Sequence, residues 1–182
     1  MEFRPTVIPD VIVIEPRVFG DDRGFFMETF RQAAFTESVG NYTFVQDNFS
    51  FSAKHILRGI HYQIRQPQGK LVRVVQGEVL DVAVDLRRSS PSFGQWVGEI
   101  LSDENKRQLW VPPGFGHAFV VLSETAGFEY KCTDYYAPEY ERAIRWDDSD
   151  IGVDWQLPAG EQPILSDKDA TAPLLKDADT YS

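Results

Sequence analysis

Cysteine is nearly missing from this sequence. Cys132 is the only one in 182 residues, which rules out an internal disulfide and any metal site built from several thiolates of one chain. Histidine is scarce too, with only His55, His61 and His117 present. No apolar run approaches the length needed to span a bilayer. The opening Met1-Glu2-Phe3-Arg4-Pro5 lacks the basic and apolar regions of a secretory leader, so no membrane attachment is expected and the cytoplasm is the expected compartment. There is no Lys/Arg run, and a formal net charge of -10 argues against a nucleic-acid surface. A Gly-rich dinucleotide loop and a Walker sequence are both absent, which removes nicotinamide enzymes and ATPases from consideration.

What is present is a soluble globular composition, 42% hydrophobic and 25% charged, in a length that suits one domain over 1–182. Roughly eight to ten short strands separated by turn signals, with few helical patterns, predict an all-β sandwich or barrel with a few short helices. Val7 to Pro16 reads as an edge strand limited by its prolines. Phe19 to Phe30 is a turn feeding an aromatic strand, where Arg23 and Glu28 bracket Phe25 and Phe26. A short helix is expected near Gln32 to Val39, ended by Gly40-Asn41. Phe44 to Ser52 alternates polar and apolar residues, and the simpler reading of Gln46 and Asn48 is a solvent-facing row. Lys70 to Val75 and Val79 to Leu86 read as a hairpin about Gln76-Gly77-Glu78. Ser102 is placed to cap a single helical turn. Phe128 to Tyr136 reads as one strand, and a last short helix is expected near Ala170 to Lys176.

The chemistry concentrates in Leu57-Arg58-Gly59-Ile60-His61-Tyr62-Gln63 and Gln68-Gly69-Lys70. Alternation puts Gly59, His61 and Gln63 on one strand face, and a bulge at Gly59 would swing Arg58 onto that same face. Taken alone, His61 is equally well read as a core or edge histidine. Asp81 lies in an apolar strand, where a carboxylate is costly unless it meets a cation or a histidine. Arg23, Arg58, Lys70 and Arg73 offer one local positive pocket on an acidic protein. Pro112-Pro113-Gly114-Phe115-Gly116-His117 is similar to the second motif of cupins, many of which bind metal. Here, though, a His-x-His pair is replaced by His61-Tyr62-Gln63, and an amide is a poor transition-metal ligand, so no metal is expected. Two imidazoles, a lysine, tyrosines and buried carboxylates suit proton abstraction next to a carbonyl instead. Neutral imidazole takes the proton, a carboxylate orients it, and an ammonium stabilises the enolate. No cofactor is needed for this.

These stretches together resemble one family, the dTDP-4-dehydrorhamnose 3,5-epimerases, along nearly the whole chain. The resemblance rests on Phe19-Gly-Asp-Asp-Arg-Gly-Phe-Phe26, Val45-Gln-Asp-Asn48, Leu57 to Gln63, Gln68-Gly-Lys70, Gly77 to Asp85, Phe93-Gly-Gln-Trp96, Trp110 to His117, Tyr130 with Tyr135-Tyr136, and Leu165-Ser-Asp-Lys-Asp169. It implies a cupin-like jelly-roll barrel, a dTDP-sugar substrate, and epimerisation at C3 and C5 of a 4-keto-6-deoxy sugar on the way to dTDP-L-rhamnose. By resemblance His61 is the base, Asp169 its carboxylate partner, Lys70 the group facing the C4 oxygen, His117 an assistant and Tyr130 the acid on the opposite face. The local reading of Ser166-x-x-Asp169 is a capping box. Arg23, Phe26, Glu28, Gln46, Asp47, Asn48, Arg58, Glu141 and Lys168 match positions that hold the nucleotide and sugar. A homodimer with an N-terminal strand reaching across is implied as well. The residues themselves leave open a single-carbon epimerase or keto-isomerase, a non-catalytic carbohydrate-binding sandwich, and a metal-dependent cupin oxygenase.

Overall fold

Strand-forming residues dominate the computed structural model, which describes residues 1–182. The chain opens with β1 (Glu2–Pro5) and β2 (Ile12–Glu15), then a separate hairpin, β3 (Val18–Asp21) and β4 (Gly24–Met27), and helix α1 (Gln32–Ser38). There follow β5 (Gln46–Ala53), β6 (Leu57–Gln63), β7 (Lys70–Gln76), β8 (Glu78–Asp85), β9 (Trp96–Ser102), β10 (Gln108–Val111), β11 (Phe115–Val121) and β12 (Thr125–Cys132). The short β13 (Glu141–Ala143) and α2 (Asp167–Ala170) complete the set. Apart from the hairpin, two antiparallel sheets are formed, in the orders β1-β2-β10-β7-β12-β5 and β13-β6-β11-β8-β9. No helix is long and apolar enough to cross a membrane.

The sheets face each other because alternate residues of both are apolar. Val72, Val74 and Phe128 of the first sheet pack with Val79, Ala83, Leu101 and Phe119 of the second, in the barrel interior. The outer face of the five-stranded sheet carries Ile60, Leu80, Val82 and Val84, covered by the C-terminal segment through Ile144, Trp155 and Leu175. Covered on both sides, β8 is buried from Val79 onward, and its apolar run is what such a strand requires. Outside the six-stranded sheet, Ile12, Ile14, Leu71 and Trp110 pack on Phe35 of α1. The all-β, jelly-roll architecture is the expected one.

Six local expectations are corrected. The stretch from Val7 to Pro16 holds a strand only at β2, which is no edge, since it pairs with β1 on one side and β10 on the other. The strands around Gly77 form no hairpin, since β7 pairs with β10 and β12 while β8 pairs with β9 and β11. Gly77 turns the chain from one sheet to the other at φ 76°, where an added Cβ would lie 2.0 Å from the Thr125 carbonyl oxygen. Residues after Ser102 make a turn only, although its cap forms, with the Asn105 N–H donating to the Ser102 hydroxyl at 3.0 Å. The strand starting near Phe128 stops at Cys132, leaving Tyr135 and Tyr136 in a connecting segment. The last helix begins at Asp167, earlier than expected, and Leu175–Asp177 is a separate single turn. The polar row of β5 faces inward, where Gln46, Asn48 and Ser52 are half-buried or buried, while Phe49 and Phe51 are exposed.

Candidate active site

His61 owes its position to a bulge in β6. Pairing with β11 matches His61 to His117 but Arg58 to Phe119, so β6 contains one extra residue at Gly59-Ile60. Gly59 sits at φ 127° with its α-carbon pressed on β11. An added Cβ would stand 2.4 Å from the Ala118 Cβ and 2.7 Å from the His117 oxygen, so only glycine fits. The bulge leaves Leu57, Ile60 and Tyr62 in the outer cluster. Arg58, opposite the inward Phe119, therefore shares the interior side with His61.

Asp169 reaches His61 from α2, 108 residues along the chain. Its Oδ1 lies 2.5 Å from His61 Nε2. The capping geometry also forms, because the Asp169 N–H donates to the Ser166 hydroxyl at 3.2 Å. One residue thus closes the helix start with its backbone and holds the imidazole with its side chain. Burial pushes the Asp169 carboxyl up, but hydrogen bonds from His61, Ser166 and the Gly59 N–H outweigh it and hold the group below its ordinary value. A neutral His61 therefore gives its Nε2 hydrogen to Asp169, leaving Nδ1 with a lone pair.

A cavity of about 90 Å³ is lined by His61, Tyr62, Gln63, Gln68, Lys70, Tyr130, Tyr136 and Glu141. Burial pushes the Lys70 ammonium below its ordinary value, against the raising effect of Cys132, Asp81 and Glu141. Burial likewise raises the Tyr130 hydroxyl, only partly offset by the Arg58 charge, so Tyr130 keeps its proton. His117 lies deeper, with Nε2 at 2.9 Å from Asp81 Oδ2. Burial lowers His117 further than Asp81 raises it, and the charges of Lys70 and His61 add to the lowering. This favours the neutral ring. No three His, Cys, Asp or Glu side chains converge as a metal-binding group.

The rim joins several of the other expected residues. Gln46 Nε2 donates to Asn48 Oδ1 at 3.0 Å, and Gln46 Oε1 accepts from the Tyr136 N–H at 2.9 Å. Lys168 Nζ lies 2.8 Å from Glu141 Oε1. Arg58 donates to the Ser52 hydroxyl at 3.2 Å. Four residues stand elsewhere. Asp47 is on the outer face of β5, paired with Lys131 at 3.0 Å. Arg23 is tied to Asp21 at the hairpin tip, Glu28 pairs with Arg31, and Phe26 is 70% exposed. None of the three lines the His61 cavity. The four cations also form no single pocket, since Arg73 pairs with Glu129 on the sheet face opposite Lys70. The hairpin instead has its own recess of about 400 Å³ between Phe19, Arg23, Phe25 and Phe26. Tyr136, Gln63 and Gln68 line the cavity as well. Alternation places Gln63 on the His61 face and Gln68 stands in the Gln68-Gly69-Lys70 motif, but the sequence gives neither a role, and Tyr136 is visible only in the paired Tyr135-Tyr136.

The sequence and the fold are shared with known proteins. The family model for dTDP-4-dehydrorhamnose 3,5-epimerase matches residues 5–177. A protein of that name from Pseudomonas aeruginosa is 62% identical over 175 residues, covering 96% of each chain. The crystal structure of a dTDP-6-deoxy-D-glucose-3,5-epimerase from Legionella pneumophila, in complex with dTDP-4-keto-L-rhamnose, superposes with a TM-score of 0.94 at 56% identity, covering 98% of this chain and 94% of that one. A 3'-monoepimerase from Streptomyces bikiniensis, in complex with dTDP-quinovose, superposes at 0.88 with 35% identity, covering 95% and 87%. Since the match runs from the first strand to the C-terminal turn, including every element that builds the His61 cavity, the chain belongs to the dTDP-4-dehydrorhamnose 3,5-epimerase family.

Proposed function

We propose that the chain epimerises C3 and C5 of dTDP-4-dehydro-6-deoxy-D-glucose, giving dTDP-4-dehydro-L-rhamnose, by proton transfers among its own side chains. The observation carrying this reading is a histidine held by a buried carboxylate in the same cavity as a lysine and a protonated tyrosine. His61 Nδ1 takes the proton from a carbon next to the C4 carbonyl, and the C–H electrons move onto the C4 oxygen. Lys70 stabilises the enolate so formed. Tyr130 then returns a proton to the opposite face of that carbon, inverting it, and solvent restores both side chains. C3 and C5 both flank C4, so one set of groups serves both. His117, neutral and tied to Asp81, supports the Lys70 side of the pocket. Arg58, Gln46, Asn48, Glu141 and Lys168 form the rim that receives the nucleotide diphosphate and sugar.

Arg23, Phe26 and Glu28 enter this reading through a second copy. β1 lies on its own sheet, paired with β2, whereas the β3–β4 hairpin pairs only with itself. It presents aromatic rings and an arginine away from the barrel. In a homodimer this hairpin completes the partner's nucleotide pocket. A cytoplasmic site of action goes with a chain whose one thiol is buried and free.

The test is incubation with dTDP-4-keto-6-deoxyglucose in deuterated water, reading label at each carbon by NMR and mass spectrometry. Label at both C3 and C5, lost in His61→Asn, is expected. A second reading, epimerisation of one carbon only, is favoured by the close superposition on a 3'-monoepimerase. Label at one carbon would establish it, and no label would overturn the enolisation chemistry for this substrate.

A further inference from the structure

Gln63 follows His61 by two residues on the same inward face of β6 and is 3% exposed. Burying an amide is costly unless its donors and acceptor are all used. Here they are. Nε2 donates to the Gln66 carbonyl at 2.8 Å and to the Tyr135 carbonyl at 3.2 Å, while Oε1 accepts from the Ala137 N–H at 2.8 Å. Two of the three bonds land on the residues either side of Tyr136. That tyrosine lines the cavity yet is 53% exposed and lies outside any strand, so packing does little to hold it. Its own links are the N–H bond to Gln46 and a 3.2 Å hydroxyl bond to Glu141.

We infer that Gln63 is a positioning residue that fixes the Tyr135–Ala137 backbone, so that the Tyr136 ring forms a set wall of the sugar pocket. The inference rests on the epimerase reading. A sugar whose C3 and C5 must each come to His61 is oriented by the walls it touches, and Tyr136 is the wall whose support comes from the catalytic strand itself. Displacing such a wall by about 1 Å is enough to cost 10- to 100-fold in rate.

The experiment is a double-mutant cycle on the full chain: wild type, Gln63→Met, Tyr136→Ala and the double variant. Each is assayed for kcat, KM and the ratio of deuterium at C3 to that at C5. Gln63→Met should lose about 10- to 100-fold in kcat/KM and shift the C3:C5 ratio in the same direction as Tyr136→Ala. The double variant should be no worse than the more damaged single. Losses that multiply in the double variant, or a Gln63→Met enzyme with wild-type rate and ratio, overturn the inference. Should Gln63→Met fail to fold, Gln63→Glu, which keeps the acceptor for Ala137 and loses both donors, carries the same cycle. No exchange in the wild type would overturn the epimerase reading and this inference with it. Exchange in the wild type with multiplicative losses overturns this inference alone.

Discussion

Replacing Asp169 by Asn separates the charge of the dyad from its shape. The Asp169 N–H still caps α2 through Ser166, and an amide oxygen still accepts from His61, so the fold and the ring orientation survive. What disappears is the negative charge that stabilises the imidazolium once His61 has taken a proton. For charges about 4 Å apart at an effective dielectric near 20, the attraction is about 4 kcal/mol. A charge-assisted hydrogen bond contributes about 1.5–3 kcal/mol net. His61 is 25% exposed while Asp169 is 3% exposed, so water screens part of the attraction and the lower range applies. A loss of about 2 kcal/mol in the transition state is about 30-fold in kcat. KM should stay near the wild-type value, since Asp169 does not line the cavity. The dyad also affects stability. Because the folded carboxyl is held below its ordinary value, it stabilises the fold above about pH 4 and loses that contribution as pH falls further. Asp169→Asn should therefore show a flatter acid limb of Tm against pH. Deuterium exchange at C3 and C5, measured beside Tm, is the assay. An Asp169→Asn enzyme within about 3-fold of wild-type kcat, at unchanged Tm, would refute the assignment of charge stabilisation to this carboxylate.

Lys70→Met should remove most of the exchange activity yet raise Tm by about 3 °C, corresponding to roughly 1 kcal/mol, because it replaces a cation whose burial is unfavourable. Unchanged activity would show that enolate charge is stabilised elsewhere. For His117, burial holds the folded ring below its ordinary value, so the unfolded chain binds the extra proton first. Stability then falls as pH drops below about 6.5, and His117→Gln should flatten Tm across that window in scanning calorimetry. An unaltered slope would mean that another group is responsible. Mixing Lys70→Met with Phe26→Ala subunits, each inactive alone, should restore about one quarter of wild-type activity, since half the dimers are hybrids with one intact site each. No recovery after proven subunit exchange would exclude a hairpin shared between copies.

Much of the inner face was legible because strand alternation is a local property. His117, Phe119 and Val121 on β11, and Asp81 with Ala83 on β8, fall on the expected face. The Gly59 bulge was legible for the same reason, since a glycine beside a charged residue in an apolar strand marks a place where the pleat is broken. Strand pairing was not. A tight turn at Gly77 looks the same in sequence whether its arms pair or separate, and only the facing sheets decide. β5 shows the limit from the other side: its alternation was read correctly, but the hydrophobicity of Phe49 and Phe51 pointed to the wrong face. Its inward Gln46, Asn48 and Ser52 stay because they find partners in Tyr136, Cys132 and Arg58, and only the Ser50 hydroxyl of that row is left unpaired. The His61–Asp169 pair rested on resemblance alone, because nothing local connects residues 108 positions apart.

The number of carbons that react is a question of side chains rather than scaffold. A 3'-monoepimerase and a 3,5-epimerase superpose on this chain with TM-scores of 0.88 and 0.94, so the backbone that carries base and acid is common to both outcomes. In the proposed mechanism the base is a single imidazole on a strand fixed by its bulge, and the acid a single tyrosine on the facing sheet. With both fixed, C3 and C5 can each be inverted only if the sugar turns between them while its C4 oxygen stays near Lys70. What permits or blocks that turn must touch the sugar and differ in position without disturbing the sheets. In this cavity Tyr136 fits the requirement, being a connecting-segment residue set against rigid strands, and Gln63 ties its placement to the strand that carries the base.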